Sequence, residues 1–143
     1  MITARWLLLA GFALSQSALG GQEYSAGEVA TALNQAISGG DADRIRSLMV
    51  DDVQIFESGS VESSLAEYAS HHMESDMAFM GAMQSELISR EVIEGNDLAA
   101  VLSRYRLQGN YGQRDIDLFT TETLVLKRLD GQWKVAHVHW SSR

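Results

Sequence analysis

The sequence predicts an α+β layer fold, with helices packed on one face of a curled antiparallel sheet. Three observations predict it. Early in the chain, apolar residues recur at helical spacing behind Ser-x-x-Glu capping boxes at Ser25–Glu28 and Ser64–Glu67. From about Leu87 onward the apolar pattern changes to period two. Near the end, Asp130-Gly131 separates two alternating runs, a strong signal for a two-residue hairpin turn.

Behind the first box, Val29, Leu33, Ala36 and Ile37 mark a helix that Gly39-Gly40 stops. Asp41 caps a second, shorter helix with Ile45, Leu48 and Met49 on one side. A short strand, Val53 to Glu57, ends in a Ser58-Gly59 turn, and the second box opens a long helix from Leu65 to Met83. Strands follow over Leu87–Ile93, Leu98–Leu107 and Ile116–Arg128, then the last strand after Gly131.

Length and composition bound the function. A chain of 143 residues favours one domain with a single core. A formal charge of -8 argues against an electrostatic grip on nucleic acid or an anionic membrane. With no cysteine, disulfides, thiolate chemistry and zinc–thiolate sites are excluded. At the N-terminus, Arg5 precedes the apolar run Trp6 to Leu14, and small residues follow at Ala18 and Gly20. This order reads as a signal peptide over residues 1–20, with an uncleaved anchor as the alternative; cleavage leaves 21–143 as an exported domain, periplasmic or secreted, without membrane attachment. There is no nucleophile elbow, phosphate-binding glycine loop or dinucleotide fingerprint.

Gly40-Asp41, Leu48 and Asp52-Val53-Gln54-Ile55-Phe56 resemble the opening of the nuclear-transport-factor-2-like (NTF2-like), or SnoaL-like, superfamily. The ending from Gly131-Gln132-Trp133 to His139-Trp140-Ser141 resembles that of its ketosteroid-isomerase-like bacterial members. The resemblance implies a cone-shaped fold, three N-terminal helices packed on a curled antiparallel sheet. It also implies a pocket between the long helix and the concave face, and often a homodimer formed through the sheet. Isomerases, dehydratases, cyclases, binding proteins and association modules share this fold, so it does not by itself choose an activity.

The candidate chemistry centres on the four histidines, which fall in two pairs, His71-His72 on the long helix and His137/His139 on the last strand. With the Asp130-Gly131 turn as origin and strict alternation, Val135 sits opposite Leu126, His137 opposite Leu124 and His139 opposite Glu122. Trp133, Val135, His137 and His139 then share the inner face, while Lys134, Ala136, Val138 and Trp140 share the outer one. His72 and Asp76 are i, i+4 neighbours on the helix that covers the sheet. A constellation of His72, Asp76, Glu122, His137 and His139 suits acid–base work, a carboxylate setting the imidazole tautomer and pKa. His72, His137 and His139 equally suit copper or zinc, and a stripe of Met73, Met77, Met80 and Met83 adds soft ligands beside His72. The bland reading makes His139–Glu122 a buried cross-strand pair and the methionines core filler.

Tyr105, Phe56 and His137 complete the expected ligand contacts. Arg104 and Arg106 face outward if Tyr105 and Leu107 face inward, and a one-residue register slip would turn Arg104 towards a ligand instead. The sequence thus predicts an exported domain that binds or processes a small molecule in a pocket lined by His, Asp and Glu. The alternatives are a copper or zinc protein, or a non-catalytic dimerisation module working through an apolar outer patch around Val125, Val138 and Trp140.

Overall fold

The computed structural model describes residues 23–143, so the expected signal peptide lies outside the described residues. The chain runs α1 (Ala26–Gly39), α2 (Ala42–Leu48), β1 (Met49–Glu57), β2 (Ser60–Glu62), α3 (Leu65–His71), α4 (Met73–Gly81), β3 (Met83–Glu94), β4 (Leu98–Tyr111), β5 (Arg114–Leu129) and β6 (Gln132–Ser142). The six strands form one sheet in the order β2-β1-β6-β5-β4-β3. All neighbours are antiparallel except β1 and β6, which run parallel.

Local chemistry sets the ends of these elements. The Ser25–Glu28 box is fully formed at the start of α1, and Gly40 closes the helix in the left-handed region at φ 69°. Asp41 caps α2 and Ser64 caps α3. Asp130 and Gly131 both have positive φ, 50° and 78°, which is the type I′ geometry that Asp-Gly favours. Leu129 pairs with Gln132 across this turn, as the sequence implies. Ser58 and Gly59 form a second turn of this kind, joining β1 to a short β2 that sequence periodicity did not reveal.

The expected long helix is interrupted at His72, giving four helices rather than three. His72 leaves helical geometry at φ -115°, and its Nδ1 lies 2.6 Å from Glu62 Oε1. Backbone bonds from His72 to Tyr68 and from Asp76 to His72 keep α3 and α4 nearly continuous.

The core lies between the helices and the concave face. Val29, Leu33 and Ile37 of α1 pack with Tyr68 and Met73, and with Val101, Leu124, Leu126, Val135 and Val138 of the sheet. Met73 is fully buried, and Met77 and Met80 pack against the same cluster, so these three methionines are core packing, while Met83 opens β3 instead of continuing the helical stripe.

Gly109 pairs with Met83 where α4 passes into β3. A Cβ there would run into the Ala82 carbonyl oxygen and lie 3.2 Å from Met83 Cα, both backbone atoms. Gly109→Ala is expected to cost about 1–3 kcal/mol, the usual range for forced overpacking. Urea denaturation measures this, and a neutral substitution would show that the α4–β3 junction can relax.

Candidate active site

Two β-bulges decide which side chains the concave face presents. In β6, Val135 pairs with Leu126 and His137 pairs with Val125, so Ala136 is an extra residue with no partner in β5. Every side chain beyond Ala136 therefore changes face relative to strict alternation. The register differs from the expectation accordingly. His137 lies opposite Val125, not Leu124, and His139 lies opposite Thr123, not Glu122. Trp140 is the residue opposite Glu122. Val138 and Trp140, expected outside, turn inward, so the outer patch expected around Val125, Val138 and Trp140 does not form.

The second bulge, at Ile88, sets Arg90 opposite Ser103. An inward row then crosses five strands: Glu57, Trp140, Glu122, Ser103 and Arg90 on β1, β6, β5, β4 and β3. Arg90 Nε donates to Ser103 Oγ at 3.0 Å and Arg90 Nη2 to the Tyr105 hydroxyl at 2.6 Å. Its Nη1 donates to Gly27 O at 2.8 Å and to Thr31 Oγ1, tying the start of α1 to the sheet. Trp140 Nε1 donates to Glu122 Oε2 at 2.9 Å, while Glu122 Oε1 is buried without a partner.

Glu57, Trp140 and Glu122 of this row border a cavity of about 130 Å³ between α1, α4 and the sheet. Its polar walls include Glu57, Asp76, Tyr105 and Glu122, and its apolar walls include Ile37, Phe79, Met80, Leu107 and Leu118. Of the residues singled out in the sequence, Asp76, Tyr105 and Glu122 are brought together here. No histidine is among the residues lining this cavity. His137 and His139 sit on the outer face against Phe56, with ring centroids 4.9 and 6.4 Å from it. Arg104 also points outward, over the Phe119 ring at 4.5 Å. His72 faces a neighbouring depression with Glu57 and Glu62. Among the described residues, no three His, Asp or Glu side chains are placed to hold a metal ion together.

The electrostatics of the cavity follow from the burial of its acids. Burial pushes the Glu122 carboxyl above the usual range, opposed by the Trp140 hydrogen bond and the Arg90 charge. Burial also raises Asp76, opposed by the hydrogen bond that the Tyr68 hydroxyl donates to Oδ2 at 3.0 Å. Glu57 is raised by burial and by the nearby Asp76 carboxylate. In the adjoining depression, the hydrogen bond to Glu62 holds the His72 ring above its ordinary value. Glu57, Trp140, Tyr68 and Arg90 were not foreseen as site residues. Trp140 left the one available trace, a large aromatic stranded among lysines when strict alternation is applied.

These shifts fix a sign. Native Glu122 and Asp76 keep their protons to higher pH than in the unfolded chain, so stability falls as pH rises through the raised values. Glu122→Gln keeps an acceptor for Trp140 and has no proton to lose. Its stability relative to the parent is expected to climb above about pH 4.5, by up to about 1.4 kcal/mol per pH unit. Urea denaturation at several pH values tests this, and a difference that does not vary with pH would contradict it.

Comparison with solved structures places this geometry. A candidate ketosteroid isomerase from Shewanella frigidimarina is 40% identical, with a TM-score of 0.80 over 81% of this chain and 94% of that one. A candidate dehydratase of the NTF2-like family from Streptomyces avermitilis is 21% identical, with a TM-score of 0.67 over 82% and 92%. The S. rosetta CaMKII hub is 22% identical, with a TM-score of 0.65 over 81% and 92%. The last two show the fold alone. No curated protein matches the chain. Residues 27–143 match the SnoaL-like domain, and with a cone-shaped α+β fold shared with these neighbours the chain belongs to the SnoaL-like group of the NTF2-like superfamily.

Proposed function

We propose that the cavity binds a small, largely apolar molecule and moves a proton on it, with Glu122 and Asp76 as the groups that carry the proton. One observation carries the reading. Two carboxyls with raised pKa values face one largely apolar cavity, each held by a single donor, Trp140 Nε1 or the Tyr68 hydroxyl. Raised carboxyls divide between protonated and ionised forms closer to neutral pH, so one can take a proton from carbon while the other returns or supplies one. The Tyr105 hydroxyl accepts from Arg90, which leaves its own proton free to donate to a ligand oxygen. The reaction class this supports is proton abstraction beside a carbonyl followed by redelivery. The isomerase description of the 40%-identical Shewanella neighbour supports the same class. In this reading carboxyls, rather than His139 or His72, do the acid–base work.

Export to the periplasm or exterior is part of the proposal, on the strength of the apolar run from Trp6 to Leu14 behind Arg5. So is a homodimer through the outer face of the sheet, where Phe56, His139, Thr123 and Leu102 form a cross-strand row. Phe56 and Leu102 stay 37% and 36% exposed in the single chain, which supports a covered outer face.

Hydrogen–deuterium exchange at carbon tests the chemistry. A panel of small apolar ketones in heavy water, followed by NMR, should include compounds whose exchange the protein accelerates. Glu122→Gln and Asp76→Asn should each lower that rate by about 10²–10⁴-fold. Ketones that bind without any accelerated exchange would reduce the site to a binding pocket. For assembly, Leu102→Arg is expected to convert a sedimenting dimer to monomer, and a parent that already sediments as monomer at micromolar concentration rules out the sheet-to-sheet dimer.

A further inference from the structure

Charge in and around the cavity is lopsided. Glu57, Asp76 and Glu122 line it, and its lining includes no lysine, arginine or histidine. Glu62 adds a further carboxylate behind His72, close enough to raise both Glu57 and Asp76. Both compensating groups are already engaged: His72, which opposes the charges of Glu57 and Asp76, is bonded to Glu62, and Arg90, which opposes that of Glu122, is committed to Ser103, Tyr105, Gly27 and Thr31. Glu122, only 5% exposed, carries a buried oxygen with no hydrogen-bond partner. Packing alone does not explain an orphaned carboxylate oxygen, which costs free energy until something donates to it.

The row order adds geometry. Glu57 and Glu122 are the two cross-strand neighbours of Trp140, so the indole lies between two carboxyls on adjacent strands. Strand spacing puts their backbones about 10 Å apart, with Trp140 midway. An indole flanked by two acids is a good seat for an organic cation, which gains from the ring face and from both charges.

We propose that the ligand of this cavity is an apolar molecule bearing a protonated amine, seated against Trp140 between Glu57 and Glu122. This rests on the cavity being the ligand site and names the chemistry of what fills it. The ammonium group supplies the donor that Glu122 Oε1 lacks and offsets the mutual repulsion of Glu57, Asp76 and Glu62. Its apolar body faces Phe79, Met80, Leu107 and Leu118.

Binding of such a cation must pull carboxyl pKa values down and release protons. The groups that face the titrating pair are Asp76, Glu62 and His72 around Glu57, and Arg90, Trp140 and Tyr105 around Glu122. Isothermal titration calorimetry near neutral pH, in buffers of different ionisation enthalpy, reads both affinity and protons. Three probes share one skeleton: 2-phenylethylamine, 2-phenylethanol and 3-phenylpropionate. The amine is expected to bind at least about tenfold more tightly than the alcohol, with net proton release, and the acid most weakly. In Glu122→Gln and Glu57→Gln the amine's advantage should shrink while alcohol binding persists. Equal binding of amine and alcohol, or a preference for the acid, overturns the amine assignment and leaves the cavity as a ligand site. Failure of all three probes to bind overturns both.

Discussion

One extra residue in β6 fixes what this fold can do. Without the bulge at Ala136, the end of β6 would present His137 and His139 to the interior and Val138 and Trp140 to the outside. With it, the Trp140 indole reaches Glu122 and the two histidines lie edge-on to Phe56 on the opposite surface. A register change of one residue exchanges an imidazole site for a carboxyl site, because side chains alternate with period two. The bulge at Ile88 acts in the same way on β3. It turns Arg90 towards Ser103 and Tyr105, and gives the row of carboxyls its one cation.

Most of the fold is legible in the sequence because local signals agree there. The capping boxes at Ser25 and Ser64, the glycine stop at Gly40 and the type I′ turn at Asp130-Gly131 all form as their chemistry dictates. The break at His72 is not legible, since the partner that its ring finds there, Glu62, lies ten residues away in sequence on an unforeseen strand. The site divides in the same manner. Asp76 depends on helical spacing and Tyr105 and Glu122 on regular alternation, so all three are found where periodicity puts them. His137, His139 and Trp140 lie beyond a bulge, and a bulge leaves no fixed signature in a run such as Lys134-Val135-Ala136-His137-Val138. The trace it does leave is compositional: Val138 and Trp140 fall on the lysine-bearing face under strict alternation.

Two side-chain atoms among the described residues are buried without a hydrogen bond, Glu122 Oε1 and Arg128 Nε. They differ in what surrounds them. The Arg128 guanidinium stacks on Trp133 at 4.5 Å and reaches Glu23 and Glu94 through its other nitrogens, so its charge is well served. Glu122 has one donor, a distant opposing charge and a cavity. A stable core has no use for a half-satisfied carboxyl, because an apolar residue of similar size would avoid its desolvation cost. Where one element of a chain breaks the local rules that the rest obeys, and does so facing a cavity, the broken rule is best understood as the working part. On that argument the proposed chemistry is centred on Glu122. The Trp140 bond holds it in place, and the bulge at Ala136 makes that bond possible.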